Sequence, residues 1–136
     1  MTVYSYYVLD IIHKGHLLMM RNAKALAGAN GRLIVGILTD EAVMEKKPRP
    51  VLSFEDRMAV AQAIKYVDLV VPQDTYSPLD NVRNIEPDIL CESTSHNEDA
   101  ITDARILMHD LGGKVVVLPY FPSLSSTEIK EKIRGE

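Results

Sequence analysis

Two hydrophobic periods alternate along this chain. Val3 to Leu9, Arg32 to Leu38, the apolar part of Lys65–Pro72, Pro87 to Cys91 and Lys114 to Leu118 are short runs rich in β-branched residues. Runs of that kind predict strands. The segment Arg-Leu-Ile-Val-Gly-Ile-Leu at 32–38 has almost no polar alternation, the mark of a strand buried on both faces, and the same holds for the third run. Between the runs, apolar residues take helical spacing. From His16 onward Leu17, Leu18, Met20, Ala25 and Leu26 share a face; Phe54, Met58, Ala61 and Ile64 follow a start at Ser53; 100–111 is helical by pattern and is stopped by Gly112-Gly113. A last helix opens at Ser125, with Glu128 at capping-box spacing, as Asp56 is to Ser53. Gln73 to Asn84, with Pro78 inside it, predicts a loop with about one helical turn. Strand, helix and strand in succession make a βαβ unit, which requires a parallel pair and a right-handed crossover. Five such strands predict a doubly wound, Rossmann-like α/β fold with a five-stranded parallel sheet, a single domain over 1–136.

In such sheets ligands bind at the C-terminal edge of the strands. The first strand runs there into Asp10-Ile11-Ile12-His13-Lys14-Gly15-His16 and a helix. Unpaired amides and the positive dipole end make a helix start a seat for anions, and two imidazoles there suggest a phosphate site. Gly15 permits an unusual backbone conformation or a close ligand approach. Zinc is the weaker reading of His-x-x-His, because Cys91 is the only cysteine and no partner cluster follows, so no metal ligand is assigned. Lys46-Lys47-Pro48-Arg49-Pro50 is either a solvated connector or a cationic arm over phosphates. Arg57 falls in the first turn of its helix, a poor place for a cation unless an anion or carboxylate is near. Ser125-Ser126-Thr127 puts three hydroxyls at the last helix start, more than capping needs.

Charge changes the picture in one respect. A formal net charge of −4 argues against a nucleic-acid binder. No apolar run approaches the roughly 20 residues of a membrane span, and no signal segment opens the chain. The lone cysteine fits a reducing cytoplasm.

Strand, Asp10, two aliphatics, His13-x-Gly15-His16 and helix together resemble the signature of the HxGH nucleotidyltransferases, specifically the small cytidylyltransferases of the glycerol-3-phosphate type. The resemblance continues in order through the basic loop, Glu55-x-Arg57, Tyr66-Val67-Asp68 and Ser125-Ser126-Thr127. There are departures. Tyr7-Val8-Leu9-Asp10 stands where that family has Gly-Thr-Phe-Asp, Lys65 and Tyr120 stand for arginines, and Glu92-Ser93-Thr94-Ser95-His96 replaces Gly-Asp-Asp-Trp. The resemblance implies CTP with Mg²⁺ as donor and a small phosphate or phosphonate as acceptor. Thr39-Asp40-Glu41-Ala42, Pro72-Gln73-Asp74-Thr75 and Tyr120-x-Pro-x-Leu-Ser-Ser-Thr are more similar to the phosphonate-pathway branch, which implies 2-hydroxyethyl- or 2-aminoethylphosphonate beside glycerol 3-phosphate. His13, His16, Lys46 and Arg57 would carry the chemistry. Tyr7, Val8, Leu9, Asp10, Gly15, Ser93, Thr94, Tyr120, Ser125, Ser126 and Thr127 would line the nucleotide. A homodimer is implied by the resemblance as well. The alternatives are an adenylyltransferase of the same superfamily, acting on a sugar phosphate or flavin mononucleotide, and a non-catalytic nucleotide sensor.

Overall fold

The computed structural model describes residues 1–119 and 126–135, and of 126–129 only the backbone. Strands β1 (Thr2–Tyr7), β2 (Arg32–Leu38), β3 (Leu69–Gln73), β4 (Ile89–Ser93) and β5 (Lys114–Leu118) form one sheet in the order β3-β2-β1-β4-β5. Every neighbouring pair is parallel. The helices are α1 (Lys14–Ala27), α2 (Asp40–Met44), α3 (Phe54–Gln62), α4 (Leu79–Ile85), α5 (Glu98–Asp110) and α6 (Ser126–Arg134). None is long and apolar enough to cross a membrane.

Successive side chains of a strand point to opposite faces, and here both faces are covered. Val3, Leu33, Val35 and Ile37 pack with Met20 and Ala23 of α1 and Ala61 of α3. Tyr4, Ile34, Leu90 and Val115 pack on the other face with Ala104 and Met108 of α5 and Val82 of α4. Two covered faces explain the unbroken apolar runs. The strand order reverses at β1, which leaves the crevice between β1 and β4 as the switch point where such sheets bind ligands.

Several boundaries differ from expectation, each for a physical reason. β3 is not buried on both faces: it is the edge strand, with Leu69 exposed, and an edge tolerates its Pro72. The segment 73–84 is more helical than predicted, since α4 begins after Pro78. The short α2 was not expected; the Thr39 hydroxyl caps it by accepting the Ala42 amide at 3.2 Å. β1 stops at Tyr7 instead of reaching Leu9, because Leu9 takes a left-handed backbone at φ 57°. Helix α1 starts at Lys14, before His16.

Candidate active site

A left-handed leucine is unfavourable by about 1–2 kcal/mol. Its side chain, 1% exposed, joins the core. The turn it makes aims Asp10 inward. The Asp10 carboxylate accepts the Val51 amide at 2.9 Å and the Leu52 amide at 2.8 Å, and pairs with Lys130 of α6. Burial alone would raise its pKa, but the Leu52 amide, Lys130 and the Val51 amide together hold it below the usual carboxylate range. Asp10 is therefore a tie between the β1 edge, the loop before α3, and α6. Both of its oxygens have protein partners.

The His-x-Gly-His turn is built as a reciprocal cap. His13, the N-cap of α1, accepts the Gly15 amide on Nδ1 at 3.0 Å; His16 Nδ1 accepts the His13 amide at 3.2 Å. This is the capping-box exchange with imidazoles in place of hydroxyl and carboxylate. The ring centroids lie 4.1 Å apart. Because each Nδ1 is an acceptor, the proton of each neutral ring belongs on Nε2, on the far side of the ring from the backbone. Burial, and then the neighbouring His13, pull the His16 pKa down to about 4, so this ring is neutral at pH 7. The first turn of α1 carries no acidic residue. Most amides of this first turn are taken up inside it, those of His13 and Gly15 by the imidazoles and those of His16 and Leu17 by the His13 carbonyl, so the imidazoles and the dipole end are what this helix start offers an anion. Gly15 sits inside the helical turn, the second residue of α1.

The Tyr7 ring packs against the core and meets the His16 ring in a T-shaped arrangement with centroids 6.3 Å apart, and burial raises the pKa of its hydroxyl. Among the described residues the Ser5 and Tyr7 hydroxyls are buried without hydrogen-bond geometry to a partner.

Arg57 is enclosed by protein, its side chain 0% exposed. Nη1 donates to the carbonyls of Val8 at 2.9 Å and Leu38 at 2.7 Å, Nη2 to Asp40 at 2.7 Å, and Nε to the Leu52 carbonyl at 3.3 Å. The carboxylate that its helix position demanded is Asp40. A guanidinium so engaged braces the ends of β1 and β2 against α3. Val8 enters the site through its carbonyl, as one end of that brace. Lys46 is exposed on the basic loop, its ammonium 5.0 Å above the Tyr76 ring. Arg49, also exposed, lies 3.7 Å from Asp40.

At the end of β4 the Ser93 hydroxyl, buried, contacts the Ser95 hydroxyl at 2.9 Å and accepts the Ser95 amide at 3.2 Å. It shapes the turn through both contacts to Ser95. Thr94 is exposed, and its amide donates to the Leu118 carbonyl at 3.1 Å. Sequence reasoning missed Tyr6 and Glu92. The Tyr6 hydroxyl donates to Glu92 at 2.7 Å, and His96 Nδ1 meets the same carboxylate oxygen. A carboxylate inside an otherwise apolar strand was the available signal. Tyr120 and Ser125 lie outside the described residues; Ser126 and Thr127 open α6, and the described features there stop at the backbone.

The comparisons with known proteins agree with this geometry. The family model described as cytidylyltransferase-like matches residues 8–132. The chain is 35% identical over 128 residues to the bifunctional protein HldE of Gluconobacter oxydans, covering 93% of this chain and 25% of that one. It is 36% identical over 129 residues to HldE of Pseudomonas syringae pv. syringae, covering 93% and 26%. The chain thus spans about a quarter of the length of these relatives. Among solved structures, a lipopolysaccharide core biosynthesis protein from Thermoplasma volcanium superposes with a TM-score of 0.73 at 22% identity, covering 88% of this chain and 95% of that one. A protein of unknown function from Archaeoglobus fulgidus does so with a TM-score of 0.69 at 19% identity, over 93% of each. These two likenesses concern the fold.

Proposed function

As the chain belongs to the cytidylyltransferase-like family, whose members are nucleotidyltransferases, we propose that it transfers CMP from CTP to a small phosphate or phosphonate, releasing pyrophosphate. An acceptor oxygen attacks the α-phosphorus in line; the bond from that phosphorus to the bridging oxygen breaks, and its electron pair leaves with pyrophosphate. An ionised acceptor has no proton to lose, so no covalent nucleophile or strong base is needed. Alignment and charge stabilisation suffice. The observation that carries this reading is the reciprocal cap, which presents two imidazole N–H donors at one helix start. Mg²⁺, when bound, neutralises triphosphate charge. Asp10, Asp40 and Glu92 already have protein partners, so these carboxylates do not form a cage and the ion fits as a passenger on the triphosphate oxygens. Ser126 and Thr127 at the start of α6 are assigned to the β- and γ-phosphates.

CTP with Mg²⁺ is expected to raise the melting temperature more than ATP does, since a ligand of the folded state alone stabilises it by mass action. A pyrophosphate-release assay crossing both nucleotides with glycerol 3-phosphate, 2-aminoethylphosphonate and 2-hydroxyethylphosphonate then identifies the pair. ATP, with a sugar phosphate, is the second reading, favoured by the match to the HldE proteins named above. Preference for ATP in the assay selects it; nucleotide binding with no turnover selects the sensor.

Lys46 is exposed, and the contact given for its ammonium among the described residues is the Tyr76 ring, which it can exchange for a phosphate. Lys46→Ala is expected to weaken nucleotide binding by about 1–3 kcal/mol, the range of a charge-assisted hydrogen bond. Unchanged affinity by calorimetry returns the basic loop to a solvated connector.

A further inference from the structure

The transfer chemistry above asks His16 to hold its Nε2–H in one direction, and an imidazole is poorly suited to that by itself. The torsion that turns the ring joins sp³ to sp² carbon, so its wells are broad and the ring swings easily. Among the described residues the ring makes one hydrogen bond, accepting the His13 amide on Nδ1 at 3.2 Å, the long end of the normal range. Two neighbouring rings supply further restraint. The His13 ring is tilted by 45° with its centroid 4.1 Å away. The Tyr7 ring stands nearly perpendicular, at 82°, with its centroid 6.3 Å away. A T-shaped pair at that separation is one of the favoured arrangements of aromatic neighbours.

Tyr7 is itself firmly held. It is the last residue of β1, paired in register with Ile37 of β2, and it packs against the core on the α1 and α3 side of the sheet. The backbone just after it is fixed as well, since the Val8 carbonyl accepts Arg57 Nη1 at 2.9 Å. The residue as a whole is half-buried, whereas its hydroxyl is fully enclosed. The far end of the side chain is thus anchored, and the ring beside His16 has little room to move away. That hydroxyl has no hydrogen-bond partner among the described residues, so it gains nothing there over a hydrogen atom. The ring is the part that serves. The family signature this turn resembles has glycine at position 7, and a glycine has no ring to offer.

We propose that Tyr7 is a positioning residue for the transfer: its ring, together with that of His13, keeps the His16 imidazole in the orientation that presents Nε2–H to the reacting phosphate. This rests on the nucleotidyltransferase reading. Tyr7 acts through His16, so loss of its ring shows in kcat and not in the hold on nucleotide.

The test is a double-substitution cycle read by steady-state kinetics, with thermal melts as the folding control. Tyr7→Leu removes the ring and keeps an apolar side chain; Tyr7→Phe keeps the ring and removes the hydroxyl. Tyr7→Leu is expected to lower kcat about tenfold, the upper end of what one aromatic pair is worth, with KM for nucleotide and acceptor within about twofold of wild type. Tyr7→Phe is expected to recover kcat to within about threefold of wild type. Introduced into His16→Gln, Tyr7→Leu is expected to change kcat by less than about twofold, because the ring it positions is gone. An equal fall in both backgrounds, a rise in KM with kcat unchanged, or a wild-type kcat in folded Tyr7→Leu overturns the inference while the transfer reading stands. A Tyr7→Phe as slow as Tyr7→Leu overturns it too, since the hydroxyl would then be what matters. If the wild-type protein turns over no acceptor with either nucleotide, both fall. Should Tyr7→Leu fail to fold, Tyr7→Met, an unbranched gap-filler, takes its place in the cycle.

Discussion

His16→Gln is expected to lower kcat by about 10²–10³ while leaving nucleotide binding and the melting temperature close to wild type. Glutamine is a natural partner at the third position of a capping box, so its side-chain oxygen can keep accepting the His13 amide that His16 Nδ1 accepts at 3.2 Å. What it changes is the donor, since the imidazole Nε2–H held in a rigid ring gives way to a carboxamide N–H on a longer, flexible side chain. A donor that acts mainly on the transition state shows itself as a fall in kcat with little change in affinity. His13→Ala is different: it deletes the N-cap contact to the Gly15 amide, and a loss of about 1 kcal/mol in stability should accompany the loss in rate. The pH profile adds an independent check. With its pKa pulled down to about 4, His16 is already neutral at roughly pH 6 and stays so as pH rises. Its donor proton is then present throughout the neutral range, and the rate should show no alkaline fall that disappears in His16→Gln. Such a fall, or a near-normal kcat in that variant, would make the turn a structural cap and withdraw its catalytic role.

How much of this was legible beforehand depended on the range of the interaction. The strand and helix periods, the Ser53 cap and the anion-ready helix start are local, and each was readable from a few consecutive residues. So was the need for a carboxylate beside Arg57. Which carboxylate, and that the guanidinium would be sealed away from solvent, depended on Val8, Leu38 and Asp40 meeting from separate elements. The same distance in sequence hid the Tyr6–Glu92–His96 group, since Tyr6 and Glu92 lie 86 residues apart. β3 was misjudged because an apolar strand looks alike at the centre and at the edge of a sheet. The tie that Asp10 makes to the amides of 51 and 52 and to Lys130 was not readable, because these partners come from distant segments and two of them are backbone groups.

Arg57→Ala should be the most destabilising of the substitutions considered, by about 3–5 kcal/mol, the scale for removing one partner of a buried ion pair. Two backbone carbonyls at the ends of β1 and β2 and one carboxylate lose their donors together, and the Leu52 carbonyl loses a weaker one. Burial leaves water little room to replace them, because the side chain is 0% exposed. In a chain of this size that corresponds to a fall of roughly 10–20 °C in the melting temperature. Asp40→Asn should cost less, since Asp40 is 20% exposed and can exchange its contact for water. Arg57→Lys should fall between the two: an ammonium keeps the charge but cannot span Val8, Leu38 and Asp40 with one planar fork. Thermal melts of the three variants without nucleotide give the order. The outcome that would reinstate Arg57 as a phosphate ligand is a melting temperature unchanged in Arg57→Ala together with a large loss of nucleotide affinity. With four protein acceptors around a sealed guanidinium, the expected order is the reverse: stability falls first, and affinity follows only because the ends of β1 and β2, which carry the candidate site, are no longer held together.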